Sequence, residues 1–121
     1  MRIISGSLKG HRLSAPKSQK TRPTSDRIKE SLFSILGEKV IAGEILDLFA
    51  GTGALGIEAL SRAAKHCCFA ERDKLALKTL QKNLELLTAA QYTLFKTSAL
   101  HALKQLKHQN KTFDIVFLDP P

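Results

Sequence analysis

Two short stretches carry residue types whose pattern could do chemistry. The first is Asp119-Pro120-Pro121, reached through the apolar run Ile115-Val116-Phe117-Leu118. A buried strand leading into that acid sets it at the carboxyl edge of a sheet, where open α/β folds bind ligands. The prolines fix their own φ and remove two N–H donors, so the surroundings of Asp119 are rich in acceptors. Such a cluster suits an exocyclic amine on a nucleobase. Accepting its hydrogens on the Asp119 carboxylate and the Pro120 carbonyl would draw the nitrogen toward a pyramidal shape. Its lone pair could then face a donor methyl group, with positioning and electrostatics supplying most of the acceleration.

The second stretch is Asp47-Leu48-Phe49-Ala50-Gly51-Thr52-Gly53-Ala54-Leu55-Gly56, with Glu71 twenty residues beyond Gly51. Glycines between a strand and a helix let a backbone approach a ligand without a Cβ in the way. An acid at the next strand end can accept hydrogen bonds from a ribose diol. The spacing Gly51-x-Gly53-x-x-Gly56 also matches the dinucleotide fingerprint, which is weak by itself. Asp47, just ahead of the turn, would repel a pyrophosphate but attract an ammonium group. S-adenosylmethionine has an ammonium, a ribose diol and no phosphate, so electrostatics favours it over a nicotinamide or flavin dinucleotide. A tight turn with no ligand ranks last.

The elements that must position these residues follow from apolar periodicity. Ile45–Phe49, Cys67–Ala70, Tyr92–Phe95 and Phe113–Leu118 read as strands. Helices are expected from Gly51–Gly56 through Ala64, over Asp73–Leu87 with a stripe of Leu77, Leu80, Leu84 and Leu87, and over Ser98–His108. Regular alternation with near-continuous apolar strands predicts a parallel sheet covered by helices. Ahead of it, Arg2–Leu13 reads as a small hairpin or arm and Ser14–Pro23 as a loop. A helix capped by Thr24-Ser25-Asp26 follows, with Ile28, Leu32, Ile35 and Leu36 on one face and Gly37 as its stop. The expected division is a basic arm over 1–23 and a ligand-binding domain over 24–121.

The chain has 121 residues and a formal charge of +8. Residues 1–29 hold eight basic side chains against Asp26 alone, so nearly all the excess lies on the amino-terminal segment. Backbone phosphates are the commonest partner for such an arm, and Arg2, Lys9, Arg12, Arg22 and Arg27 are the candidate contacts. Adjacent Cys67 and Cys68 read as reduced, space-filling thiols, and the four histidines show no ligand spacing, so no metal is expected. No apolar run is long enough for a membrane span and the first residues lack the stretch of a secretory signal, so the cytoplasm is the default compartment.

With these residues in hand the chain resembles the bacterial 16S ribosomal RNA (guanine-N2-)-methyltransferase family. The likeness is carried by Met1-Arg2-Ile3-Ile4-Ser5-Gly6 with Leu8-Lys9-Gly10, by Arg22-Pro23-Thr24-Ser25-Asp26-Arg27 and by Glu30-Ser31-Leu32-Phe33. It runs on through Leu46 to Arg62 and closes with Asp119-Pro120-Pro121. The resemblance implies a Rossmann-like class I S-adenosylmethionine-dependent methyltransferase fold of strand order 3-2-1-4. It implies donor contacts at Asp47, Phe49, Ala50, Gly51, Thr52, Gly53, Glu71 and Arg72, and at Ser98-Ala99, where the family usually has an aspartate followed by Ala. It also implies a catalytic Asp119-Pro120-Pro121 acting on the N2 of a guanine within small-subunit particles.

The family continues past Pro-Pro with an aromatic residue and further strands. A fragment is therefore expected, monomeric if complete but association-prone as it stands, since order 3-2-1-4 leaves the apolar Phe113–Leu118 on an edge. Two other readings are an adenine or cytosine amino-methyltransferase acting on DNA or RNA, and an inactive module that binds RNA and cofactor.

Overall fold

The structure, a computed structural model, describes residues 1–15 and 25–121. Its elements in chain order are α1 (Asp26–Leu36), β1 (Glu44–Asp47), α2 (Ala54–Ser61), β2 (His66–Ala70), α3 (Lys74–Leu84), β3 (Tyr92–Phe95), α4 (Ala99–His108) and β4 (Ile115–Phe117). The four strands form one sheet of order β3-β2-β1-β4, parallel throughout, as expected from the alternation. In register, Asp47 at the end of β1 stands between Phe69 of β2 and Phe117 of β4.

Successive residues of a strand point to opposite faces, and here both faces are covered. Ile45, Cys67, Phe69 and Phe117 join a core with α2, α3 and Phe33 of α1. Leu46, Leu48 and Cys68 turn the other way and pack with Leu106 of α4. This explains why β1 and β2 read as unbroken apolar runs, and why both cysteines are buried and free. Burial pushes the Cys67 thiol well above its ordinary range, which leaves it inert as a nucleophile. The edge position expected of β4 holds as well, beside β1 with Val116 50% and Leu118 66% exposed, but the strand covers Ile115–Phe117 rather than Phe113–Leu118.

Three sequence expectations are corrected. Helix α3 ends at Leu84 rather than Leu87, where the Leu86 and Leu87 N–H groups donate only three residues back, to the Asn83 and Leu84 carbonyls. Helix α2 stops at Ser61 rather than Ala64, because Ala63 adopts a positive φ and the Ala64 N–H donates back to the Ala59 carbonyl. The inward face of α1 is not Ile28, Leu32, Ile35 and Leu36. Ile28 is 60% and Ile35 82% exposed, whereas Lys29 and Phe33 are buried and Leu32 and Leu36 pack against the core. Periodicity passed over Lys29 because it is charged. Its Nζ lies 3.2 Å from the fully buried Glu58 of α2 and donates to the Arg2 carbonyl at 2.6 Å. Phe33 packs on Phe117 at 5.8 Å between centroids, with the Arg62 guanidinium 4.8 Å from its ring.

Glu58 is also what seats the amino terminus. Residues 1–13 form a tight hairpin in which Arg2 bridges Arg12 antiparallel. Glu58 Oε1 and Oε2 accept from the Ile4 and Ser5 N–H groups, and Oε2 also accepts from Arg62 Nε. The Ser61 carbonyl and hydroxyl hold Ser7 and Leu8, while Ile3 and Leu13 enter the main core. An acid placed among so many donors is satisfied in spite of its burial.

Glu58→Ala strands Lys29 in the core and frees four donors. The expected loss is roughly 3–5 kcal/mol, read as a lower urea midpoint. Adding Lys29→Met should recover part of it, since no lone charge then remains; a double variant no better than the single would contradict the ion-pair account.

Candidate functional site

Because the strands are parallel, their carboxyl ends share one edge, and the predicted site residues come together there. Asp47 closes β1 and Glu71 follows β2 directly. Asp119 stands two residues past β4, and Ser98 follows β3 as the N-cap of α4. Between Asp47 and α2 runs the glycine turn. Each of its glycines is needed for a different reason. Gly51 has φ +56° and a Cβ there would meet nothing within 4 Å, so its outer side is open. Gly53 has φ +85°, and a side chain would strike Leu80 of α3. Gly56 lies against the Phe69 ring and Cys67, a helix-on-strand contact that any Cβ would break.

Two amide hydrogens of this stretch end on carboxylates. Gly51 N–H donates to Glu71 Oε1 at 2.8 Å, and Gly56 N–H to Asp47 Oδ2 at 3.3 Å. Gly53 N–H closes on the Ala50 carbonyl at 2.8 Å. Glu71 Oε2 further accepts from the backbone of Arg72 and Asp73. Three N–H groups of this stretch are thus used internally, two of them on acids that stand where a pyrophosphate would lie. Glu71 and the turn form one unit, which spacing alone did not reveal. Phe49 is half-buried on the α4 side, Ala50 is buried, and Thr52 is partly exposed. The Arg72 side chain is exposed. Ser98 Oγ accepts from the His101 N–H at 3.2 Å, so one of its lone pairs is committed to capping α4; Ala99 opens that helix.

Asp47 is fully buried beneath the turn. Desolvation pushes its carboxyl up to about 7; the Gly56 hydrogen bond opposes this, and the charges of Asp119 and Glu71 reinforce it. Asp119 and both prolines are exposed. Three acids from β1, β2 and β4 therefore face a common edge, with Asp47 the one whose burial, more than its acidic neighbours, favours the neutral form.

Among the candidate phosphate contacts, Arg2, Lys9, Arg12 and Arg27 are exposed. Arg2 and Arg12 lie side by side across the hairpin, which docks on the carboxyl-terminal half of α2, the end away from the glycine turn. Arg22 lies outside the described residues, as does most of the expected loop. Lys29, counted in the basic segment, is neutralised inside the protein. Among the described residues, no three His, Cys, Asp or Glu side chains are grouped to hold a metal ion, and no helix is long and apolar enough to cross a membrane.

Sequence reading missed Glu58, Ser61 and Asn83. Glu58 was findable: it is the lone acid in Ala54-Leu55-Gly56-Ile57-Glu58-Ala59-Leu60, a helix with no polar face. Asn83 had no comparable signal.

The buried Asp47 makes stability depend on pH. It ionises near 3.8 when its surroundings are ordinary and at about 7 in the fold. The unfolded chain therefore releases the proton first, and stability falls as pH rises from about 4 through 7. The full loss is on the order of 4 kcal/mol. Asp47→Asn keeps an acceptor for Gly56 without the charge. Its urea midpoint should approach that of the wild type near pH 4 and exceed it at pH 8; a difference independent of pH would contradict the burial argument.

Over residues 1–121 the chain matches the family described as conserved hypothetical protein 95. It is 46% identical to the ribosomal RNA small subunit methyltransferase D of Haemophilus influenzae, covering all of this chain and 63% of the relative. It is 40% identical to the Escherichia coli protein of the same name, covering all of this chain and 60% of the relative. The solved structure of a hypothetical protein from Thermus thermophilus superposes with a TM-score of 0.85 at 30% identity, covering this whole chain and 69% of that one. The chain thus spans about three-fifths of the two curated relatives, and the Rossmann-like methyltransferase arrangement of its sheet is shared with solved members. It belongs to the conserved hypothetical protein 95 family, as a relative of the small-subunit ribosomal RNA methyltransferase D proteins.

Proposed function

We propose that this chain carries the donor-binding half of an S-adenosylmethionine-dependent methyltransferase that modifies the N2 amine of a guanine in 16S ribosomal RNA. One observation carries the choice of donor: the Gly51 and Gly56 N–H groups end on Glu71 and Asp47, so the turn sits between two acids at an edge hostile to phosphate and suited to a cation. The open outer side of Gly51 fits a ligand lying against the backbone. Glu71 Oε1 accepts only the Gly51 N–H and so keeps a lone pair for one hydroxyl of a ribose diol. When bound, the donor supplies a methyl group activated on a sulfonium.

The chain's own residues then have separable tasks. Asp47, from beneath, supplies negative potential to the turn; Phe49, Ala50, Gly51, Thr52 and Gly53 form its wall, and Arg72 and Ser98-Ala99 border it. Asp119 and the Pro120 carbonyl accept the hydrogens of the guanine amine, and Pro121 keeps that carbonyl in place. This localises the nitrogen lone pair and orients it for in-line attack. Residues 1–23 form the RNA-contacting segment and 24–121 the donor-binding part; Arg2, Lys9, Arg12 and Arg22 of the first, joined by Arg27 of α1, are the phosphate contacts. The names of the relatives support ribosomal RNA as the substrate class.

A cation bound above Asp47 favours its charged form. Binding of S-adenosylmethionine near pH 6.5 should therefore release a proton, seen in calorimetry as a heat that varies with the buffer's ionisation enthalpy. Asp47→Asn should lose that dependence. Tighter binding of a nicotinamide dinucleotide than of S-adenosylmethionine would overturn the assignment of the donor.

Asp119→Asn addresses the chemistry instead. Methyl transfer from labelled donor to small-subunit particles should fall by about 10²–10³, with donor affinity changed less than about threefold. Equal transfer by the variant, or transfer to duplex DNA in preference to the particles, would refute the role given to Asp119 or the substrate given to the enzyme.

A further inference from the structure

Asn83 is a buried amide on α3 with three hydrogen bonds, and they join two regions that the sequence keeps far apart. Its Oδ1 accepts from the Ser14 N–H at 2.7 Å, and its Nδ2 donates to the Ser14 carbonyl at 3.1 Å. The same Nδ2 donates to the Thr52 carbonyl, in the glycine turn, at 2.8 Å. Ser14 directly follows the amino-terminal hairpin, whose Arg2, Lys9 and Arg12 are exposed. One side chain thus grips the root of the basic hairpin with one edge and the donor turn with the other.

The Thr52 carbonyl needs such a partner. It lies between Gly51 and Gly53, both at positive φ, where a peptide plane turns easily. That plane is held at both ends: the Gly53 N–H by the Ala50 carbonyl, and the Thr52 carbonyl by Asn83. With no third residue in between, a change in the seating of Ser14 reaches the turn through a single amide group.

We propose that Asn83 is a positioning residue that couples the two binding regions, so that RNA held by the basic hairpin tightens the donor site, and donor binding steadies the root of that hairpin at Ser14. The coupling rests on the donor and RNA assignments above. It is positive because both ligands require the same Asn83 placement, and whichever binds first settles it for the second. It is reciprocal by thermodynamic necessity. A link made of one or two buried hydrogen bonds should change either affinity by roughly three- to tenfold.

The test uses the full chain, S-adenosylhomocysteine as the probe of the turn and a short single-stranded RNA as the probe of the arm. In the wild type, RNA should tighten S-adenosylhomocysteine three- to tenfold by calorimetry. S-adenosylhomocysteine alone should slow hydrogen exchange at the Ser14 amide, which it does not touch. Asn83→Ala should bind each probe singly but abolish both effects. Asn83→Asp provides a second route, since it can still accept from Ser14 N–H but cannot donate to Thr52. It should protect Ser14 without responding to the turn. A purely structural Asn83 would lower the melting temperature of either variant and leave the linkage intact, and that result would overturn the proposal. So would a wild type that binds S-adenosylhomocysteine with no change at Ser14 and no effect of RNA. A wild type with no affinity for S-adenosylhomocysteine at all would instead refute the donor assignment, and the coupling with it.

Discussion

Two carboxylates fasten the glycine turn to the strands of the sheet by taking amide hydrogens from either end of it. Gly51 N–H ends on Glu71 and Gly56 N–H on Asp47, so each acid binds the turn to a different strand. Much else in the site is arranged around that constraint. Asp47 must be buried to reach Gly56, and its burial is what lifts its carboxyl toward neutrality. A fold that tolerates such a group gives up stability above pH 7 and gains a negative potential at the strand ends.

A second constraint acts from the other end of α2. Glu58 gathers Lys29, Arg62 and the backbone of Ile4 and Ser5 into one buried cluster. The helix that begins at the glycine turn therefore ends as the platform for the amino-terminal hairpin. Asn83 holds the same hairpin from α3 and reaches the turn as well. The hairpin is thus held by two separate polar contacts, each buried and each largely satisfied, which is the condition under which buried polar groups give definition to a fold.

The basic segment also looks different once it is folded. Its charge excess, read along the chain, treats every lysine and arginine as equally available. In the structure Lys29 is consumed by Glu58 while Arg2, Lys9, Arg12 and Arg27 remain at the surface. The negative strand edge and the positive hairpin surface lie at opposite ends of α2. That separation lets one protein attract a polyanion and a cationic cofactor without either field cancelling the other.

The element order, the parallel sheet and the grouping of Asp47, Glu71 and Asp119 were legible in the amino-acid sequence. Apolar runs four to six residues long alternate there with helical stripes, and parallel strands bring every strand end to one edge. Acids that end such strands must share that edge, whatever the details of packing. The inward face of α1 was not legible, because a periodicity argument discards Lys29 as polar, and only the arrival of Glu58 from α2 makes its burial tolerable. Nor were the roles of Asn83 and the internal use of the turn's amides. Those depend on which side chain from another element comes within hydrogen-bonding distance, a relation between residues up to 69 positions apart that no local pattern encodes.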